Sequence, residues 1–287
     1  MSLKNFLSEN IALFMIFPAI ILIFPLFLIP LASILIVSFF KHSPAQSLWI
    51  PELTIENYAN VITSPLFIDV LILTIRIAVA VMVLSLILGY PIAYYIARSP
   101  SNFVKRTLLI ISVLTFFMSW VPRLFAWIII LGKYGVINTM LRIITEEPIK
   151  LLGTELGIII GLTHAMTPLT ALILINPIKN IDLTLEDSAK SLGANYIQTF
   201  FKITLPLSLP GIISALILTY SVAVSAFITP MMLGQGITLM MSNYVYTRFG
   251  ETFNFPLGAT LAVVLLIVAL TTSYIINLSL GKLVKMR

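Results

Sequence analysis

The sequence predicts an all-helical integral membrane protein with six transmembrane helices. Three observations lead there. Of 287 residues, 59% are hydrophobic and 10% charged, against roughly 25% charged in an average soluble protein. The apolar residues gather into runs long enough to span a bilayer, about 20 residues or more. Between the fourth and fifth runs lies one long stretch that reads as soluble helix, Leu183 to Ile212. Six spans and their loops fill residues 1–287 as a single transmembrane domain, with no room for a separate soluble one.

The first run, residues 11–40, exceeds what a bilayer core needs, so tilt, or kinks at Pro18, Pro25 and Pro30, are expected. No convincing cleavage site follows it, so it reads as a retained span. The polar segment 41–65 holds Trp49 and Tyr58, both suited to a membrane interface. A second span covers about 66–97, a basic loop 98–106, and a third span about 107–131. The loop 132–155 carries Glu146 and Glu147, and a fourth span over about 156–175 closes at Asn176-Pro177. The fifth and sixth spans cover about 211–233 and 256–280.

Six spans put both termini on one side. That side, with the Leu183–Ile212 stretch, holds Lys4, Arg98, Lys105, Arg106, Lys179, Lys190, Lys202, Lys282, Lys285 and Arg287. The other holds Lys41, Lys133, Arg142, Lys150 and Arg248. The positive-inside rule places the first set, and both termini, in the cytoplasm. The outer loops carry Glu52, Glu56, Asp69, Glu146, Glu147, Glu155 and Glu251, either a solvated surface or a landing site for a basic partner or cationic solute.

Within Leu183–Ile212, Thr184 can cap a helix with Asp187 closing a capping box, and Gly193 is suited to ending it in the left-handed conformation. Asn195 offers a second cap with Gln198 three residues on, and Pro206 breaks the segment. The expected product is two short helices around a glycine elbow, a shape suited to docking on another protein.

Several function classes are excluded or weakened. The chain has no cysteine, so disulfides and thiolate metal sites are absent, and no GxxxxGK[ST] binds phosphate. His42 and His164 lie on different segments, so neither a metal site nor a catalytic cluster is expected. Acids are missing from the central parts of the spans, which weakens an ion-coupled secondary transporter. The net charge of +6 sits largely on loops beside the membrane, which points to topology rather than nucleic acid.

A charge deep in a bilayer costs roughly 2.5–3.5 kcal/mol on insertion scales and needs a reason. Arg76 can snorkel outward. Arg123, after Pro122 and between Trp120 and Trp127, is either a gate or pathway residue or a structural pair for a carbonyl or a partner chain. His164 reads as a packing residue or a pathway residue. Ser221, Ser225 and Thr229, spaced by four, would form one polar stripe, a packing seam or a pathway lining.

Asp187-Ser188-Ala189, then Gly193, then Ile203, Leu205 and Pro206 keep every spacing of the Glu-Ala-Ala, Gly, Ile-x-Leu-Pro loop of ATP-binding-cassette importer permeases, with Asp187 for Glu and Ser188 for Ala. The chain therefore resembles the permease subunits of type I importers. Asn57–Phe67, Val121–Asn138 and Ala226–Gly236 resemble more narrowly the first permease of spermidine/putrescine importers and their close relatives, except that Gln235 separates Gly234 from Gly236.

The resemblance implies the type I permease fold with a cytoplasmic coupling-helix loop, residues 182–206, in a bacterial inner membrane. It implies ATPase-docking residues Asp187, Ser188, Ala189, Gly193, Ala194, Ile203, Leu205 and Pro206. Trp120, Arg123, Trp127, Ser221, Ser225 and Thr229 are the candidate pathway residues. It further implies a second permease, two ATPase subunits and an extracytoplasmic solute-binding protein, with ATP and magnesium held on the ATPase and no cofactor in this chain. The solute would be a polyamine or a related small organic molecule, with an anionic or amino-acid-like solute as the alternative.

Overall fold

The computed structural model describes residues 3–43, 49–143 and 147–285; Glu146 and Arg287, counted above among the loop charges, lie outside them. The helical expectation holds. Five stretches are long and apolar enough to cross a membrane: Ile16–Val37, Pro65–Arg98, Trp120–Leu141, Glu155–Lys179 and Phe255–Lys282. A sixth results if Tyr196–Leu207 and Leu209–Val224, bent by 67°, form one crossing.

The chain divides into two compact units. The first comprises Met1–Ser64 with Val245–Val264. Its α1, Leu3–Val37, runs unbroken through Pro18, Pro25 and Pro30. The apolar stretch ends at Val37 rather than at residue 40, because Phe40–His42 forms strand β1, paired antiparallel with β2, Trp49–Leu53. The sequence reading placed no strand here. The ribbon is tied to α2, Glu56–Thr63, by Asn57, whose side-chain amide donates to the carbonyls of Ser38 (3.1 Å) and Phe40 (2.9 Å). Thr260, on α14 (Phe255–Lys285), donates to the same Ser38 carbonyl at 3.0 Å.

The second unit comprises Pro65–Tyr244 with Leu265–Arg287. Its spine is α3, Pro65–Arg98, packed lengthwise on α7, Glu155–Lys179. Between them in sequence lie α4, Asn102–Phe117, α5, Trp120–Leu131, and α6, Val136–Leu141. After α7 come α8, Leu183–Ser191, α9, Tyr196–Thr199, a wide π-turn at Phe200–Thr204, and α10, Leu205–Leu207. Then follow α11, Leu209–Val224, α12, Ile228–Leu233, and α13, Met241–Gly250.

Small residues let these helices approach closely, as membrane packing requires. Ala78, Ala93, Ala171, Ala215 and Ala223 are fully buried. A Cβ at Gly89 would stand 3.0 Å from the Thr167 carbonyl oxygen, and one at Gly211 would stand 2.5 Å from the Pro177 ring. The hydroxyls of Thr170 and Thr219 meet at 3.0 Å and satisfy each other inside the core.

Two predicted spans are broken. The third, 107–131, splits at Met118 and Ser119 into α4 and α5; the fifth, 211–233, splits at Ser225–Phe227 into α11 and α12. Each break lies four residues before a proline, Pro122 or Pro230. In a continuous helix the proline has no N–H for the carbonyl of residue i−4, and its ring clashes with it. Proline alone is not sufficient, since Pro91, Pro168 and Pro177 sit inside continuous helices. At both breaks a side chain replaces the missing donor: Arg123 bonds the Met118 carbonyl, and Ser242 bonds that of Ala226.

Gly211→Ala is expected to lower stability by about 1–3 kcal/mol through overpacking against Pro177. Gly281→Ala, whose added carbon meets nothing closer than 3.9 Å, should be neutral. Thermal unfolding in detergent reads both, and equal midpoints would contradict the packing described.

Candidate functional site: the elbow and the broken helices

The elbow is built by local backbone bonding. Asp182, not Thr184, is the N-cap of α8: its carboxylate accepts the Thr184 N–H at 2.9 Å. That backbone bond holds the Asp182 carboxyl below its usual range. The predicted box between Thr184 and Asp187 does not form, because the helix begins at Leu183, two residues before a Thr184 cap would start it. Asp187 instead pairs with Lys190 at 3.1 Å on the exposed face.

At the other end, Gly193 adopts φ +88°. Its N–H bonds the Lys190 carbonyl at 2.9 Å and the Ala194 N–H bonds that of Ala189 at 3.0 Å, the paired closure of a Schellman motif. Nothing lies within 4 Å of a Cβ placed on Gly193, so backbone conformation alone asks for glycine there. Asn195 and Gln198 then form the expected capping box, with bonds of 2.8 and 3.0 Å. Pro206 does not end the segment. It sits within α10, the preceding turn widens at Phe200–Thr204, and the bend comes at Ser208. A widened turn gives the proline ring room against the carbonyl before it.

The outward face of the elbow is apolar and open. Leu192 is 89%, Tyr196 80% and Ile197 69% exposed. Asp187 and Ser188 are exposed with them, and Ala189, Ala194, Ile203, Leu205 and Pro206 are half-buried. The inward face is held by a residue the sequence reading passed over. Glu186, only 5% exposed, accepts from Arg98 Nε (3.1 Å) and Nη2 (2.8 Å) and from the Thr204 hydroxyl (3.0 Å). Arg98 also donates to the Ile181 carbonyl at 3.0 Å. One available signal was an acid in the first turn of a capped helix whose side chain could point back toward the basic end of α3.

The six candidate pathway residues do not form one group. Arg123, 3% exposed, is turned into the end of α4, donating to the carbonyls of Thr115 and Met118, with Trp120 5.6 Å from its guanidinium carbon. Trp120 also lines a pocket of about 280 Å³ with Ser225 and Thr229. Trp127 lies elsewhere: its indole N–H meets His164 Nδ1 at 3.3 Å beside an apolar cleft of about 570 Å³ between α3, α4, α5 and α7. The stripe Ser221–Ser225–Thr229 does not exist as a stripe. Ser225 ends α11 and bonds back to the Ser221 carbonyl at 2.9 Å, whereas Thr229 is buried in α12 facing Gly161. Arg76 is not merely snorkelled; it forms an ion pair with Glu155 in the first turn of α7.

Residues 88–283 match the family described as binding-protein-dependent transport system inner membrane component. The spermidine/putrescine transport system permease protein PotB of Haemophilus influenzae is 32% identical over 238 residues, covering 82% of this chain and 82% of its own length. PotB of Escherichia coli is 30% identical over 217 residues, covering 75% of this chain and 78% of that protein. In a crystal structure of a bacterial alginate ABC transporter with its pentasaccharide-bound periplasmic protein, one chain superposes with a TM-score of 0.81 at 18% identity, covering 99% of this chain and 98% of its own. A chain of the inward-facing MetNI methionine transporter gives 0.57 at 20% identity, covering 77% and 95%. These two likenesses bear on the fold.

Arg123→Gln should leave the Thr115 and Met118 carbonyls without their donor and lower stability by about 1–3 kcal/mol. Arg123→Lys, which lacks the planar fork, should fall between. An unchanged unfolding midpoint for Arg123→Gln would show that the break does not depend on it.

Proposed function

Because this chain belongs to the family of binding-protein-dependent transport system inner membrane components and is the permease subunit of an ATP-binding-cassette importer, we propose that it carries polyamines inward and docks its ATPase through the Leu183–Pro206 elbow. The observation that carries the docking reading is the elbow itself. Leu192, Tyr196 and Ile197 stand exposed on a fold whose backbone bonds are internally satisfied. A rigid, capped element with an apolar outer face fits a groove on another protein.

The remaining machinery follows from that role. Two ATPase subunits would hold ATP and magnesium, a second permease would complete the path, and an extracytoplasmic binding protein would deliver the solute. ATP binding would draw the elbows together and tilt the spans outward-facing, and hydrolysis would reset them. The distribution of Lys and Arg supports a cytoplasmic elbow and cytoplasmic termini.

The solute reading rests on the relatives, both of those described above being named as spermidine/putrescine permeases. It is supported by the placement of Arg123. A guanidinium facing the path would repel a cation and attract a carboxylate; this one keeps its charge but is turned into the end of α4, 3% exposed, with Nη2 donating to two carbonyls. Trp120, Ser225 and Thr229 remain as the pathway lining at the two helix breaks, where irregular backbone in a membrane borders a cavity.

Uptake of radiolabelled spermidine and putrescine by the reconstituted complex tests the solute, and uptake of neither, with uptake of an anionic solute, would refute it. Gly193→Val places a β-branched residue at positive φ. Uptake should fall at least about tenfold while membrane insertion survives, the strain being on the order of 1–3 kcal/mol; normal transport would sink the docking assignment. For orientation, cysteine at Ser191 should label only from the cytoplasm and cysteine at Tyr134 only from outside. The chain has no native cysteine to interfere, and reversed labelling would overturn the topology.

A further inference from the structure

The inward face of the elbow is fastened to α3 at three places. At the end of α3, Arg98 meets Glu186, and the same carboxylate oxygen takes the Thr204 hydroxyl. One helical turn further in, the rings of Tyr94 and Phe200 cross edge to face at 5.7 Å. Next to it, Tyr90 crosses Phe200 at 5.5 Å, and its hydroxyl meets that of Ser208 at 2.9 Å, at the bend between α10 and α11. Glu186, Thr204, Ser208 and Tyr90 are all buried. The outward face, by contrast, is open at Leu192, which is 89% exposed.

We propose that Arg98, Glu186 and Tyr90 are positioning residues that form the joint through which a displacement of the elbow is passed to α3, and so to the pathway helices packed on it. The proposal rests on the docking reading above and adds the route taken inside the chain. The physical basis is the difference in stiffness between the joint and the covalent connection. Along the chain, the elbow reaches its membrane helices through the Asn180–Asp182 turn on one side and through a widened turn and the 67° bend on the other. Both can flex. The charge pair, with side chains only 11% and 6% exposed, cannot slide without leaving a carboxylate or guanidinium unpaired and largely out of solvent, which is strongly unfavourable. Packed interiors are stiff and carry displacement directly. Because α3 packs on α7 with the Gly89 backbone against Thr167 and Ala171, a shift of α3 cannot be absorbed there either.

The test uses the assembled complex in proteoliposomes, with three readouts: ATPase retained on purification, ATP hydrolysed, and spermidine taken up. Glu186→Gln and Arg98→Gln should keep the ATPase bound and hydrolysing within about twofold of the parent. Uptake per ATP should fall at least about tenfold, within the usual range of coupling between two sites. Thr204→Val, which removes one donor at nearly constant volume, should lower the ratio in the same direction. Arg98→Cys with Glu186→Cys should be uncoupled when reduced and recoupled by a short reversible thiol cross-linker, which a loss of folding could not reproduce.

Parental uptake per ATP in Glu186→Gln and Thr204→Val would overturn the joint. Leu192→Asp separates this from the docking reading. If it releases the ATPase while Glu186→Gln transports normally, docking stands and the joint fails; if it leaves the ATPase bound and uptake unchanged, both fail.

Discussion

One largely buried ion pair seats the elbow on α3. Arg98 closes α3, Glu186 opens α8, and between them they fix two helices that are far apart in sequence. Their side chains are only 11% and 6% exposed. An unpaired charge in such a place costs about 3–5 kcal/mol, so the elbow has one seat on α3 and little freedom to leave it. The carboxylate oxygen also takes Thr204, and the guanidinium also takes Ile181, so the pair reaches into the turns before and after the elbow. What remains outside is the apolar face of Leu192, Tyr196 and Ile197. The elbow is thus divided between a fixed back and an open front.

The same accounting of polar groups explains the membrane part. Inside a bilayer every backbone carbonyl must find a donor within the protein. Pro122 and Pro230 each take one away, and Arg123 and Ser242 each restore one from outside the helix. The result is two helices interrupted at defined places, α4–α5 and α11–α12. Trp120 begins one broken half, and Ser225 to Thr229 span the other break. A pocket lined by side chains beside backbone interruptions follows from where the prolines fall.

Much of this was legible in the sequence, for reasons that differ residue by residue. Gly193 and the Asn195–Gln198 box were readable because capping is local: the residues that satisfy the helix ends lie within a few positions of them. The first cap was misplaced by two residues, since Asp182 and Thr184 are both competent and only the turn after α7 decides. Glu186 was missed because its partner lies 88 residues away, and no local pattern reports such a contact. Asp187 drew attention instead by matching a motif, yet in this chain it is an exposed residue paired with Lys190. The serine–threonine stripe assumed one continuous helix, and the displaced carbonyl of Ala226 shows why it was not one. The β-ribbon was invisible because its strands are three and five residues long and neither has a regular apolar alternation.

The central claim is that the elbow offers its outer face to an ATPase from the cytoplasm. A photo-activatable cross-linker at Leu192, in the intact complex within native membranes, tests it most directly. Capture of the ATPase chain is expected from Leu192 and none from Tyr134, on the opposite side. Failure of Leu192 to capture the ATPase, or capture from Tyr134 instead, would contradict it.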